Sequence, residues 1–281
     1  MGEIGGHGGI QIIGPVMLKE TNQVEREFYA RIFPCPPPRV PVGVEIPEGL
    51  NPHILIRHND SEAHDEFREL APIFYGTQKV TNKIILQNMA YGLESPRFLD
   101  IKIGYRTVSQ SELMAAGKGA SDAWKKKQRL KLADWIRNAQ KRGFTVVAST
   151  GFADVGRNRI TWIDPDKIFR TYFGDHPEIT IRIQRALRES ATAQIENMIR
   201  AVDWSSYAMV ASSVLFVTGK ETQVDATREA SSPWTCRVRL IDFAHAYYRE
   251  GMGSWGQEGF EKYSRNFIEG LQALHAAIRP Q

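Results

Sequence analysis

Pro96-Arg97-Phe98-Leu99-Asp100-Ile101-Lys102-Ile103-Gly104 is an apolar, strand-like run with an aspartate and a lysine set two residues apart inside it. A second run, Leu240-Ile241-Asp242-Phe243-Ala244-His245, carries an acid where its apolar stretch ends. Apolar strands seldom hold unpaired charge, because burying one costs several kcal/mol unless something compensates it. Asp100 and Lys102 alternate by two and therefore project to the same side of an extended segment. A nucleotide phosphate with its metal compensates both signs at once, the metal satisfying the carboxylate and the phosphate the ammonium.

The bulk composition allows such a site. With 281 residues, 42% hydrophobic and 24% charged, the chain is long enough for one large domain or two lobes with a sizeable core. No signal peptide is recognisable: the first nine residues are glycine-rich and include Glu3 and His7. No apolar run approaches the roughly 20 residues that span a bilayer, so the expectation is a soluble intracellular protein, cytoplasmic or nuclear. Two cysteines, Cys35 and Cys236, form neither a disulfide framework nor a zinc-binding spacing and are read as free thiols. Net charge is +4, but nine Lys or Arg against two Asp lie between Lys118 and Arg142, so the rest of the chain is slightly acidic. A positive field concentrated in one segment suits a polyanionic partner, although such runs are often only a solvated helix face.

Along the chain, a glycine-rich start leads to a strand at Ile10 to Ile13, a turn at Gly14-Pro15 and a second strand ending in Lys19. Asn22 is placed to cap a helix carrying Glu25, Phe28, Tyr29 and Ile32 at helical spacing. Five prolines between Pro34 and Pro41 make a rigid connector. Ile84 to Leu86 reads as a strand, and Gln87 to Gly92 as a hinge. Leu130 to Ala139 is expected to be a helix with Leu132, Trp135, Ile136 and Ala139 on one face. Phe144 to Ala148 and Ile160 to Ile163 are expected to be paired strands. A long helix or helix pair covers Ile179 to Val202, strands cover Val210 to Val217 and Val238 to Phe243, and a helix closes the chain from Phe260 to Ile278. This order predicts an α+β architecture of two lobes, residues 1–90 and 91–281.

Phosphoryl transfer needs cations on the phosphates, one or two bridging metal ions and an acceptor hydroxyl in line. Lys19 is positioned to reach the phosphates, Glu25 to hold that lysine in an ion pair, and Asp242 to bind Mg²⁺ as a hard oxygen ligand. Asp100 and Lys102 can hold a ribose hydroxyl and a transferring phosphate side by side. Each feature alone is weak, and it is their order and joint presence that carry weight.

Taken together, Pro96-x-x-x-Asp100-x-Lys102-x-Gly104 resembles the PxxxDxKxG signature of the inositol polyphosphate kinases. Ser212-Ser213-Val214-Leu215-Phe216 resembles that family's SSLLF strand, and Ile241-Asp242-Phe243-Ala244-His245 its IDFAH block. Gly6-His7, Met17-Leu18-Lys19, Glu25-x-Glu27-Phe28-Tyr29 and Phe74-Tyr75-Gly76 extend the likeness over nearly the whole chain. The resemblance implies a two-lobed fold distantly like protein kinases, with ATP between the lobes and a small helical substrate-binding insertion at 105–142. It implies Lys19 on the ATP phosphates with Glu25 its partner, Asp100 on the ribose, Lys102 between γ-phosphate and acceptor, and Asp242 on Mg²⁺. It further implies His245 facing the inositol phosphate, with Lys125, Lys126, Lys127, Gln128, Arg129 and Lys131 as the pool of substrate ligands. One departure stands out: Gln87-Asn88-Met89 replaces the acidic pair usual at the hinge, so adenine contacts from Gln87 and Met89 would be largely to backbone.

Within the family the signals divide. The IDFAH ending resembles the multikinase and hexakisphosphate kinase branches. Ile103 to Thr107 with Glu112-Leu113, and Trp255-Gly256-Gln257-Glu258-Gly259, resemble the trisphosphate 3-kinases. The expectation is a monomeric kinase of broad specificity for inositol trisphosphate and tetrakisphosphate, with a hexakisphosphate kinase making pyrophosphates as the alternative. A phosphoinositide headgroup is a further conceivable acceptor. Nucleic acid fits poorly, because few aromatic residues interleave the basic run. A non-catalytic polyanion-binding module is the rival outside enzymes.

Overall fold

Val16–Glu20, with burial alternating at Val16 and Leu18, and Lys83–Gln87, with its continuous apolar run, form neighbouring strands of the first sheet. The computed structural model describes residues 9–33, 67–78, 82–104, 125, 142–152, 154–155, 157–222, 233–249 and 256–280. The glycine-rich start before residue 9, the proline-rich connector and the expected helix at Leu130 to Ala139 lie outside them. Strands β1 (Ile10–Ile13), β2 (Val16–Glu20), β3 (Phe74–Thr77) and β4 (Lys83–Gln87) make an antiparallel sheet of order β1-β2-β4-β3. Helix α1 (Gln23–Ile32) begins at Asn22, whose side chain accepts a hydrogen bond from the Glu25 N–H at 2.9 Å. Glu25, Phe28, Tyr29 and Ile32 are all buried, as their spacing on one helix face predicts.

The chain then passes through residues 88–92 into β5 (Leu93–Ile103), followed by β6 (Phe144–Ser149), β7 (Tyr207–Met209), β8 (Ser213–Glu221), β9 (Trp234–Ile241) and β10 (Ala246–Tyr248). β7 and β10 pair with each other, and the other four form an antiparallel sheet of order β6-β5-β8-β9. Opposed residues of an antiparallel sheet share a face, so the register divides it cleanly. Leu99, Ile101 and Ile103 of β5, Val214 and Phe216 of β8, and Val238 and Leu240 of β9 join one buried core with helices α2 (Pro165–Gly174), α3 (Ile181–Ala201) and α4 (Gly256–Ile278). Each such side chain contributes about 1.5–3 kcal/mol of burial. The opposite face carries Phe98, Asp100 and Lys102, then Ser213, Leu215 and Val217, then Arg237, Arg239 and Ile241.

Two features hold β5 in place. Its pairing with β8 shifts between Glu94 and Arg97, where Ser95 has φ +49° and Pro96 supplies no ladder donor. Arg97, only 6% exposed, donates from Nη2 to the Thr171 carbonyl at 2.7 Å and lies 5.7 Å from the Tyr172 ring centroid, tying the strand to α2. The outer edge of β9 is covered. The Gln194 side chain accepts from Val238 N–H at 2.9 Å and donates to the Cys236 carbonyl at 2.7 Å, and Leu240 N–H donates to Leu70 at 2.7 Å.

One expected element is absent. Ile160 to Ile163 is not a strand paired with β6; Arg157–Ile160 is a short helix continued by i→i+3 bonds at Trp162 and Ile163. The reason is the spacing: Ile160 and Ile163 reach the core three residues apart while Trp162 stays 67% exposed, the period of a helical turn and not the two-residue period of a strand. The strand expected at Val210 to Val217 starts later, at Ser213, and runs on to Glu221, and the separate short strand β7 ends before it at Met209. Among the described residues no helix is long and apolar enough to cross a membrane.

Gly104 closes β5 with φ +101°, a conformation that explains a glycine at that place. Its N–H donates to Gly143 at 2.8 Å, and α4 packs against this junction through Gly270. A Cβ on Gly270 would stand 2.5 Å from the Gly143 carbonyl oxygen and 2.8 Å from the Gly104 nitrogen. Helix propensity alone favours alanine over glycine by about 1 kcal/mol, but overpacking against backbone costs about 1–3 kcal/mol. Gly270→Ala is therefore expected to lower stability in urea unfolding; an unchanged or raised midpoint would contradict the close approach.

Candidate active site

Lys19 is the organising charge. β2 brings its ammonium to a point where Nζ donates to Glu25 Oε1 at 2.8 Å and also to Asp242 Oδ1. Glu25 is 2% exposed, so its carboxylate depends on partners. It accepts from Lys19 and, at 3.2 Å, from the Phe243 N–H on Oε1, and from Thr21 Oγ1 at 2.7 Å on Oε2. Burial alone would lower the Lys19 pKa, but the two carboxylates outweigh it and the group is pushed up to about 12. While both carboxylates are ionised, the raised lysine pKa adds stability that is fully present below pH 10.5, the ordinary lysine value, and is lost as pH rises through about 12.

Asp242 stands just beyond the end of β9 at φ +63°, in the left-handed region that aspartate tolerates better than most side chains. That conformation turns the chain so that the carboxylate meets Lys19 while the next residue enters the core. Phe243, fully buried, stacks on Phe28 at 4.4 Å and meets Tyr29 edge-on at 5.2 Å. Asn22 Nδ2 donates to the Ala244 carbonyl at 3.1 Å. The helix start and the acidic loop are therefore one docked unit.

Asp100 and Lys102 lie on the face of the second sheet that does not enter the main core, as their alternation predicts. Lys102 is opposite Ser213, and Ser213 is opposite Ile241, the residue before Asp242. Two strand spacings put the Cα atoms of Lys102 and Ile241 about 10 Å apart, while Asp100 lies about 7 Å from Lys102 along β5. Lys102 Nζ donates to the Ala211 carbonyl at 3.1 Å, and Ala211 itself has φ +58°. Asp100 is 5% exposed. The Ser213 hydroxyl is buried and has no hydrogen-bond partner among the described residues. Asp242, at 32% exposure, is the accessible hard oxygen donor of the group.

At the other end of this face, Met89, Leu93 and Val217 form a small buried cluster flanked by Ala90, Phe98 and Leu215. Gln87 ends β4; its N–H donates to Ile73 at 2.8 Å, and its side-chain oxygen accepts from the Ile73 N–H at 3.4 Å. The Gln87 side chain is thus engaged locally. The Asn88 amide group donates to Gly14 at 2.8 Å, fastening the β1–β2 turn to the hinge. Along β5 and β8 this face runs from apolar at Phe98, Leu215 and Val217 to polar at Asp100, Lys102 and Ser213.

Other expected site residues fall elsewhere. His245 is half-buried between Asp242 and β10, and its carbonyl accepts from the Val210 N–H at 3.1 Å. Lys125 is exposed, and Lys126, Lys127, Gln128, Arg129 and Lys131 lie outside the described residues. Sequence reasoning missed Thr21, the Ala211 carbonyl and Arg237. Thr21 and Ala211 carry no pattern signal, whereas Arg237 and Arg239 alternate along β9 and could have been read as a polar face. Among the described residues no group of three or more His, Cys, Asp or Glu is placed to hold a metal. A cation held by Asp242 would draw further oxygens from a bound phosphate and from water, the habit of Mg²⁺ in phosphate sites.

Known proteins resemble this chain in fold and in family. In a structural comparison, the chain matches inositol phosphate multikinase Ipk2 from S. cerevisiae, in complex with ADP and Mn²⁺, with TM-score 0.62 and 18% identity over 94% of this chain and 98% of that one. A second inositol phosphate multikinase structure matches with TM-score 0.49 and 17% identity over 74% of this chain and 88% of that chain. No curated protein matches by sequence. The first likeness shows a kinase-like fold. The family described as inositol polyphosphate kinase matches residues 83–279, which contain Asp100, Lys102 and Asp242, and the chain belongs to that family.

Proposed function

We propose that this protein transfers the γ-phosphate of ATP to a hydroxyl of an inositol trisphosphate or tetrakisphosphate, as a kinase of multikinase type. The observation that carries this reading is the convergence of Lys19, Glu25 and Asp242 at the charged end of the sheet face bearing Asp100 and Lys102. The ADP and Mn²⁺ of the yeast multikinase support a nucleotide and a divalent metal as the ligands.

In this reading adenine lies over Met89, Val217 and Leu215, with Gln87 and Met89 offering backbone groups. Asp100 accepts from the ribose, and Lys19, steadied by Glu25, holds the phosphates. Bound Mg²⁺ would sit on Asp242 and supply charge neutralisation for the phosphates. The acceptor hydroxyl oxygen attacks the γ-phosphorus, its proton passes to solvent, the bond to the bridging oxygen breaks, and ADP leaves with that electron pair. Lys102 donates to the transferring phosphoryl group, where negative charge is spread in the transition state. His245, Lys125, Lys126, Lys127, Gln128, Arg129 and Lys131 are the groups proposed to face the acceptor's own phosphates.

Replacing Lys102 with alanine is expected to cut transfer at least about a hundredfold while ATP binding is largely retained. Unchanged turnover would remove Lys102 from the mechanism. Neutralising Lys125, Lys126 and Lys127 together should raise KM for the inositol phosphate and flatten its salt dependence, because exposed charges are screened; a salt response equal to wild type would make them bystanders. Product profiles by ion-exchange chromatography, with each inositol phosphate offered alone, test the acceptor. New monoester products from the tris- and tetrakisphosphates are expected, and products only from the hexakisphosphate would replace this reading with pyrophosphate synthesis.

A further inference from the structure

The turn at residues 88–92 has nearly all its backbone spoken for. Tyr91 N–H donates to Asn88 and Leu93 N–H to Ala90, each at 3.1 Å, and Ala90 N–H donates to the Asn88 side-chain oxygen at 3.1 Å. The Gly92 carbonyl accepts from Thr222 N–H at 3.0 Å. The Met89 and Gly92 N–H groups have no acceptor among the described residues. Two carbonyls remain, those of Met89 and Tyr91, and one atom takes both: Arg237 Nη1 donates to them at 2.9 and 2.8 Å.

Arg237 reaches the turn from β9, where it stands opposite Val217 on the face that carries Asp100 and Lys102. Its carboxylate neighbour, Glu221, is 3.8 Å away, and both side chains are nearly a third exposed. An ion pair of that exposure contributes little, whereas charge-assisted bonds to carbonyls are among the stronger hydrogen bonds. The guanidinium therefore acts chiefly on the turn. Tyr91 is 55% exposed, so water can satisfy a released carbonyl there and the fold need not fail with the contact.

We propose that Arg237 is a positioning residue for nucleotide recognition: by holding the Met89 and Tyr91 carbonyls it fixes the turn that offers the Met89 N–H to a purine ring nitrogen. This rests on the nucleotide reading above. It differs from that reading in that Arg237 touches no ligand and acts only through the turn. Lysine at this position lacks the rigid planar fork and can hold the two carbonyls only loosely.

Calorimetric titration of Mg-ADP into the full-length wild type, Arg237→Met, Arg237→Lys and Glu221→Gln tests it. The expected result is about tenfold weaker ADP binding by Arg237→Met, an intermediate loss for Arg237→Lys, and Glu221→Gln within about twofold of wild type. In turnover, KM for ATP should rise with kcat and the acceptor's KM little changed, and the melting temperature should hold within a few degrees. Arg237→Met binding ADP as wild type does would overturn the role. So would a joint fall in ADP affinity, acceptor affinity and melting temperature, which would mark a general structural prop. A wild type that binds no ADP would overturn the nucleotide reading itself, and this one with it.

Discussion

The Lys19 ammonium, held between the Glu25 and Asp242 carboxylates, is the contact on which the arrangement depends. Glu25 is almost wholly buried, and breaking a buried pair by removing one partner costs about 3–5 kcal/mol because a charge is left uncompensated. The same contact joins parts of the chain more than two hundred residues apart: β2, the first turn of α1 and the loop after β9. Phe243 follows into the aromatic cluster of Phe28 and Tyr29, so electrostatic and apolar docking reinforce each other. A nucleotide phosphate would contend with Asp242 for the same ammonium. In the proposed function the site is thus built around a charge whose present partner a ligand would replace.

The second sheet divides its labour by face. One face is mostly apolar and buried against three helices, with Arg97 and Thr218 its buried polar members, which leaves the other free to carry Asp100, Lys102 and two arginines. Strict alternation is what permits this, since a slip of one residue would drive both charges into the core. Gly104 and Gly270 set how near α4 comes to the end of β5, and so fix the strand that bears the charged pair. The hinge turn is fastened at both sides, by Asn88 to the first sheet and by Arg237 to the second.

Local signals carried much of this. The spacing of Glu25, Phe28, Tyr29 and Ile32 gave the buried face of α1, the Asn22 cap gave its start, and the two-residue period gave the shared face of Asp100 and Lys102. Ile160 to Ile163 misled because a short apolar run fits a strand or a helical turn equally well, and only the burial of Ile160 and Ile163 with Trp162 left outside decides between them. Arg237 was illegible as a hinge contact because its partners are backbone carbonyls nearly 150 positions away. Backbone acceptors leave no residue-type trace in a sequence. The same holds for the Ala211 carbonyl beneath Lys102.

A crystal structure with a non-hydrolysable ATP analogue, Mg²⁺ and an inositol phosphate tests the central claim most directly. The account predicts phosphates lying among Lys19, Lys102 and Asp242, with the Lys19–Glu25 pair intact and the purine against Met89. A nucleotide bound elsewhere, or phosphates that leave Lys19 and Lys102 untouched, would contradict it.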